Sequence, residues 1–187
     1  MTKIIERLRQ EHQDMERLLV VLEGEISTFD RQERPDYEAV QAIISYFQDY
    51  PDCCHHPKED MIFAKLRERD PIAAREVGDL EAEHHREAKD LRRVAALVSN
   101  VLLDQEIPRE AFDRVMRGFI EQERSHMKME ERRLLPAALK SLRDEDWAEI
   151  ETRWRDTQES LFNVATEERC ASLRDRALQW ARENHKI

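Results

Sequence analysis

The sequence predicts an all-α fold, an up-down-up-down four-helix bundle with a C-terminal helical extension. Three observations predict it. Glu, Arg, Leu and Ala dominate, and glycine occurs only three times in 187 residues, a composition of strong helix formers. Apolar residues recur every three or four positions through four long stretches, the period of a helix with one buried face. The links between those stretches are short and polar, so neighbouring helices run antiparallel.

Helix one is predicted from about Lys3 to Phe29, followed by a polar turn from Asp30 to Pro35. Helix two runs from about Asp36 to Arg69, with Pro57 inside it removing one backbone hydrogen bond. Asp70-Pro71 supplies an N-cap and a proline at the first helical position, so helix three starts there and runs to about Asp104. Pro108 opens helix four, which reaches about Leu142 with a bend expected at Pro136. These helices make a bundle domain over residues 1–142. Residues 143–187 form the extension. Its fifth helix begins at Asp144-Glu145-Asp146-Trp147, acids at the positive helix end. A sixth is capped by Thr166 and ends near Asn184. Through Trp147, Trp154, Leu161, Phe162, Leu173, Leu178 and Trp180 the extension covers the bundle or makes a homodimer face.

Charge excludes several functions. A formal net charge of -10 argues against a nucleic-acid partner, which needs clustered Lys and Arg. It equally argues against docking on an anionic membrane. No apolar run approaches the ~20 residues that span a bilayer. The opening MTKIIERLRQ does not read as a signal peptide. Three cysteines, with Cys53 and Cys54 adjacent, Cys170 distant and no CxxC, fit a reducing cytoplasm and inert thiols.

The apolar stripes carry polar exceptions. Ile5, Leu8, His12, Met15, Leu19 and Leu22 line helix one, apolar but for His12. His84 interrupts Val77, Leu80, Ala88 and Leu91 on helix three. His55 and Glu59 lie on the stripe of Ile44, Phe47, Ile62 and Leu66, and His126 and Glu130 on that of Phe112, Met116, Phe119 and Leu134. His56 and His85 align with charged residues and are expected to face solvent. Tyr46 and Tyr50 read as packing residues, and Glu123 either orients a histidine or lies on the rim. Leu8-x-x-x-His12 echoes Leu80-x-x-x-His84, and His55-x-x-x-Glu59 echoes His126-x-x-x-Glu130, as in two helix pairs related by a pseudo-two-fold axis. At ~1.5 Å rise per residue, antiparallel packing puts all six groups within about one turn of a common level.

Two carboxylates and four imidazoles in an apolar layer are costly unless cations satisfy them. Four residues advance a helix by ~6 Å and turn it only ~40° past a full circle. One His-x-x-x-Glu unit can therefore give its imidazole to one ion and its carboxylate to two. The expected arrangement is His12 and His55 on one ion, His84 and His126 on the other, and Glu59 and Glu130 bridging. The ions would stand ~3.5–4 Å apart. Imidazole with carboxylate suits iron or manganese, and zinc is compatible. Six protein ligands leave coordination positions open.

His12, the run His55-His56-Pro57-Lys58-Glu59-Asp60, Glu83-His84, and His126-Met-Lys-Met-Glu130-Glu131 with Leu134-Leu135-Pro136 resemble the hemerythrin family, and more closely its bacterial HHE cation-binding branch. The resemblance covers about residues 3–142, and Asp146-Trp147 is also familiar from that branch. It implies a pair of iron ions, oxo- or hydroxo-bridged, in a four-helix bundle. Oxygen-carrying members place two histidines one turn apart on the third helix. Here the positions one turn from His84 are Leu80 and Ala88, so one ion lacks a histidine. The resemblance then implies an open site for oxygen, nitric oxide or peroxide, or for iron sensing. The expected function is a non-haem diiron protein that binds or senses such ligands. The alternatives are a diiron oxidoreductase consuming peroxide or nitric oxide, and a metal-free helical interaction module.

Overall fold

The computed structural model describes residues 2–103 and 108–159, with 168, 171–172, 174–176 and 178–179 beyond them. The described residues are helical apart from short links, with no strand among them.

Helix α1 (Lys3–Asp30) ends where Gln32 adopts a φ of 64° and turns the chain back. Asp36 caps α2 (Tyr37–Tyr50) by accepting the Ala39 N–H, and its own N–H donates to Glu25 of α1. This fixes the angle between the first two helices. A π-turn, Pro51–His55, joins α2 directly to α3 (His56–Arg69). Asp70 caps α4 (Pro71–Val77) through the Ala73 N–H, as its position before Pro71 predicts.

Helix three does not continue as one rod. Gly78 sits at φ 105°, and Asp79 then caps α5 (Leu80–Leu102). Only glycine enters this backbone region without strain, so the predicted helix divides there. Asp104, its expected end, lies outside the described residues. Beyond Pro108, α6 (Arg109–Met129) passes through a second π-turn, Glu130–Leu134, into α7 (Leu135–Ser141). Helix α8 (Asp144–Glu159) opens with Asp146 reaching back to the Arg143 N–H. Thr166, the expected cap of the sixth helix, and Asn184, its end, lie outside the described residues, as do Leu161, Phe162, Leu173 and Trp180.

The two π-turns have one cause. A π-turn closes i→i+5 bonds instead of i→i+4. The His56 N–H donates to the Pro51 carbonyl, and the Leu135 N–H to Glu130. In each case the next residue is a proline, Pro57 or Pro136. A proline has no N–H with which to continue the tighter ladder.

Helix α1 packs on α2 and α6, α2 on α5, α5 on α6, and α3 on α5, α7 and α8. Burial divides into two apolar clusters. One holds Met15, Leu19, Leu22, Ile43, Phe47, Leu91, Met116 and Phe119. The other holds Ile5, Leu8, Ile62, Leu66, Leu80, Leu134, Leu135 and Trp147. Every long helical rod crosses from one cluster to the other, and at each crossing stand buried polar residues. Trp147 and Ile150 of α8 join the second cluster, and Leu178 joins the first. No helix among the described residues is long and apolar enough to cross a membrane.

Candidate metal centre

The polar layer between the clusters contains His12, His55, Glu59, His84, His126 and Glu130, all six buried. Its geometry follows from two carboxylates that face two ways. Oε1 of Glu59 lies 3.5 Å from Nε2 of His12 and 3.1 Å from Nε2 of His55, while its Oε2 lies 3.7 Å from Nε2 of His84. Oε2 of Glu130 lies 3.3 Å from His12, and its Oε1 lies 2.8 Å from His126 and 3.7 Å from His84. Each carboxylate thus gives one oxygen to the His12 side and the other to the His84 side.

The outer nitrogens face four acids in a cycle, through hydrogen bonds at His12 and His55 and through ion-pair contacts without hydrogen-bond geometry at His84 and His126. Nδ1 of His12 stands 2.9 Å from Glu131, Nδ1 of His55 2.7 Å from Glu11, Nδ1 of His84 3.3 Å from Asp60, and Nδ1 of His126 3.2 Å from Glu87. In every case the acid comes from the rod preceding that of the histidine, with the fourth rod serving the first. Such partners fix the ring and its tautomer and turn the other nitrogen inward. Glu11 is held in turn by the fully buried Lys58, whose Nζ lies 2.8 Å from Oε2 and which stacks under Trp154 of α8.

Inside the cycle, hydrogen bonding runs out. Both oxygens of Glu59, both of Glu130, and both ring nitrogens of His84 and of His126 are buried without a hydrogen-bond partner. Nε2 of His12 and of His55 face each other at 3.0 Å. With Nδ1–H committed to a carboxylate, both inward nitrogens of neutral rings would carry lone pairs, a contact that a shared proton or a cation satisfies. Two nitrogens held at right angles by one ion, each ~2.1 Å from it, lie ~3.0 Å apart. The donor set therefore fits metal: His12, His55, Glu59 and Glu130 could hold one ion, and His56, Glu59, His84 and His126 another.

His56 corrects the sequence expectation that it faces solvent. Its ring stacks on His84 at 3.9 Å, with 9° between the planes, and only 13% of its side chain is exposed. The extra residue of the π-turn is the reason. It breaks the 3.6-residue register, so consecutive histidines both turn toward the interior. His56 thereby joins His84 and His126 beside Glu59. His85 is exposed, as expected, and bonds the Glu81 carbonyl. His185 and Cys170 lie outside the described residues. Tyr46 and Tyr50 are stacked core residues.

Burial and partners set the protonation of the layer's own groups. Burial pushes the His12 imidazolium down, but Glu130, Glu131 and Glu59 outweigh it and lift the pKa to about 11. The same balance lifts His84 to about 9 through Asp60 and Glu130, and His126 to about 12 through Glu130, Glu83 and Glu87. Glu130 is held well below the usual carboxylate range by His126 and His12 against its burial. Glu87 and Glu123 behave oppositely. Burial raises Glu87 to about 8 and Glu123 to about 7. Both line a cavity of about 60 Å³ shared with Pro51, Asp52, His56 and Leu91.

Glu11, Lys58, Asp60, Glu87 and Glu131 were not expected at the site. The available signal is adjacency, since Glu11, Lys58, Asp60 and Glu131 each sit beside an expected ligand in sequence.

No curated protein and no solved structure matches the chain significantly. The family model of the hemerythrin HHE cation binding domain matches residues 3–138. That match takes in every inward histidine and glutamate described above. It covers well over half of the sequence, and this chain belongs to the hemerythrin HHE cation-binding domain family.

Proposed function

We propose that this chain is a non-haem diiron-binding protein that binds or senses oxygen, nitric oxide or iron. The reading places a carboxylate-bridged dinuclear site across the middle of an up-down-up-down four-helix bundle. The observation that carries it is the division of labour at Glu59 and Glu130, whose two oxygens face different histidine groups. In this reading His12 and His55 hold one iron and His84 and His126 the other, with Glu59 and Glu130 bridging. His56 completes the second set. The donors also suit manganese or zinc, and iron is preferred on the family resemblance. Two bound irons would supply one-electron redox chemistry and open positions for a small ligand.

The protein's own residues do the rest. The cycle of Nδ1 partners holds the imidazoles with Nε2 inward. The two apolar clusters seal the layer above and below. The cavity beside His56 measures about 60 Å³, space for about two waters at ~30 Å³ each. That volume suits a diatomic gas or peroxide.

A second reading, an oxidoreductase consuming peroxide or nitric oxide, is favoured by Glu123. Burial raises the carboxyls of both Glu87 and Glu123 toward neutrality, and Glu123, unlike Glu87, which faces Nδ1 of His126 at 3.2 Å, can line the cavity as a proton donor for reactions that consume protons.

Metal analysis of protein from iron-rich cultures tests the first reading. Two irons per chain are expected, with a near-ultraviolet band that reduction removes and air restores. One zinc per chain, or no metal, overturns it. Sustained turnover with a reductant, lost in Glu59→Ala and slowed in Glu123→Gln, selects the second reading. A stoichiometric response without turnover selects binding or sensing.

A further inference from the structure

The π-turn before His55 contains two adjacent thiols, Cys53 and Cys54, whose sulfurs lie 2.8 Å apart. Consecutive side chains of an α-helix diverge by ~100°. A π-turn spreads more residues over each turn, so consecutive side chains diverge less and the two sulfurs can meet. Cys54 is buried at 2% exposure, while Cys53 is half-buried, its thiol also donating to the Tyr50 carbonyl at 3.5 Å. The pair is thus an outer and an inner thiol in contact, a short distance along the chain from the metal layer.

We propose that Cys53 and Cys54 are a redox-modification site at which a hydroperoxide oxidises the two thiols to a vicinal disulfide, opening the π-turn and withdrawing His55. In the first step the Cys53 sulfur attacks the peroxide. An S–O bond forms, the O–O bond breaks, and the departing oxygen takes the thiol proton, leaving as water when the oxidant is hydrogen peroxide. In the second step the Cys54 sulfur attacks the sulfenic sulfur. An S–S bond forms, the S–O bond breaks, and hydroxide leaves with the Cys54 proton as water. One peroxide is reduced by two electrons, and the two thiols supply them.

The disulfide and the helix are incompatible. Consecutive Cα atoms are ~3.8 Å apart, below the ~4.4 Å lower end for ordinary disulfides. The eight-membered ring therefore forces both residues out of helical dihedrals. The His56 N–H to Pro51 carbonyl bond spans both cysteines and is lost with them. His55 follows Cys54 directly, so its ring leaves Glu11 and His12. Strain of this kind also makes the bond easy to reduce, which suits a reversible switch rather than a staple.

The disulfide claim stands apart from the metal reading, and its effect on ion binding rests on that reading. The test treats the full chain with equimolar hydrogen peroxide, blocks remaining thiols with iodoacetamide, and maps peptides by mass. The expected product is a peptide carrying both cysteines, lighter by two hydrogens, unalkylated, and restored by dithiothreitol. Cobalt(II) titration, read by its visible bands, is expected to weaken at least tenfold on oxidation and to recover on reduction. The C53S/C54S double variant is expected to keep its cobalt affinity after peroxide. Oxidation of Cys53 to sulfinic acid, a link to Cys170 or to a second chain, or unmodified thiols would overturn the proposal. A vicinal disulfide with unchanged cobalt affinity would overturn the withdrawal of His55. Reduced protein that binds no cobalt would instead count against the dinuclear reading, leaving the mass result to decide the disulfide.

Discussion

Nζ of Lys58 lies 2.8 Å from Oε2 of Glu11, and the same Glu11 oxygen accepts the Nδ1–H of His55 at 2.7 Å. A fully buried lysine is thus the outer end of a chain of contacts that ends in the metal layer. Burial pushes the Glu11 carboxyl up, but His55 and Lys58 outweigh it and hold it far below the usual range. Removing one partner of a buried pair leaves an uncompensated charge, a loss of ~3–5 kcal/mol. Because Arg7, 3.1 Å from Glu11 Oε1, and His55 still pair with the carboxylate, Lys58→Met is expected to destabilise by less than that amount in urea unfolding, and adding Glu11→Gln should recover part of it. Glu11→Gln alone, by loosening the His55 ring, is expected to weaken metal binding by roughly 10–100-fold.

Glu130 separates metal-linked stability from packing. In the metal-free protein its oxygens face the imidazoliums of His12 and His126, which a bound cation would displace, so the gain on adding metal isolates the ligand role. A ligand at a hundred times its Kd stabilises the folded chain by ~2.7 kcal/mol. Wild type is expected to gain about this much when ferrous or cobalt(II) ions are added in that excess, measured by thermal or urea unfolding. Glu130→Ala should gain almost nothing. An equal gain in both proteins would place the cation elsewhere.

Loading and folding should respond oppositely to pH. The pKa values of His12, His84 and His126 are lifted to about 11, 9 and 12, so at neutral pH these rings are imidazoliums in the metal-free protein. A cation takes the neutral ring, so loading releases protons. Affinity then rises with pH, about tenfold per unit for each proton displaced. The metal-free fold shows the reverse trend. Folded pKa values stand above the ordinary 6.5, so their stabilisation is complete below pH ~6.5 and fades as pH climbs through the raised values. Urea unfolding of chelated protein at about pH 6 and about pH 10 should show the loss. Cobalt(II) titrations at mildly acidic and mildly alkaline pH should show the gain.

Much of this layer is legible in the sequence because four histidines interrupt otherwise apolar stripes, and a helix makes such a stripe a direction in space. His12, His55, His84 and His126 all turn inward for that reason. His56 is not legible by the same means. A periodicity argument assumes an unbroken register, and the π-turn adds a residue at Pro51–His55. Pro57 and Pro136 are the visible marks of the break, although neither shows that the register will shift rather than the helix bend. Lys58 and Glu11 are hidden differently. Each looks like an ordinary surface charge until a partner from another helix is in place, and that pairing belongs to tertiary structure. The division of helix three at Gly78 is written in one residue, but a lone glycine inside a helical pattern is often tolerated.

Gly78 itself gives the clearest test of that division. Its φ of 105° and ψ of -155° lie in backbone territory that is essentially glycine's alone. Space is not the constraint, since a Cβ built there meets nothing within 4 Å. The backbone conformation is. Gly78→Ala should cost about 1–3 kcal/mol, seen as a lower urea midpoint at unchanged slope. Asp79, which caps α5 through the Ala82 N–H, sits directly beyond it. A chain that relieved the strain by running α4 into α5 would forfeit that cap and rotate His84 away from Glu59 and Glu130. Gly78→Ala is accordingly expected to weaken cobalt(II) binding as well as the fold, whereas Asp79→Ala, which removes only the cap, should cost about 1 kcal/mol and leave metal affinity intact. Equal stability of Gly78→Ala and wild type would mean that the break between α4 and α5 is not held by this glycine.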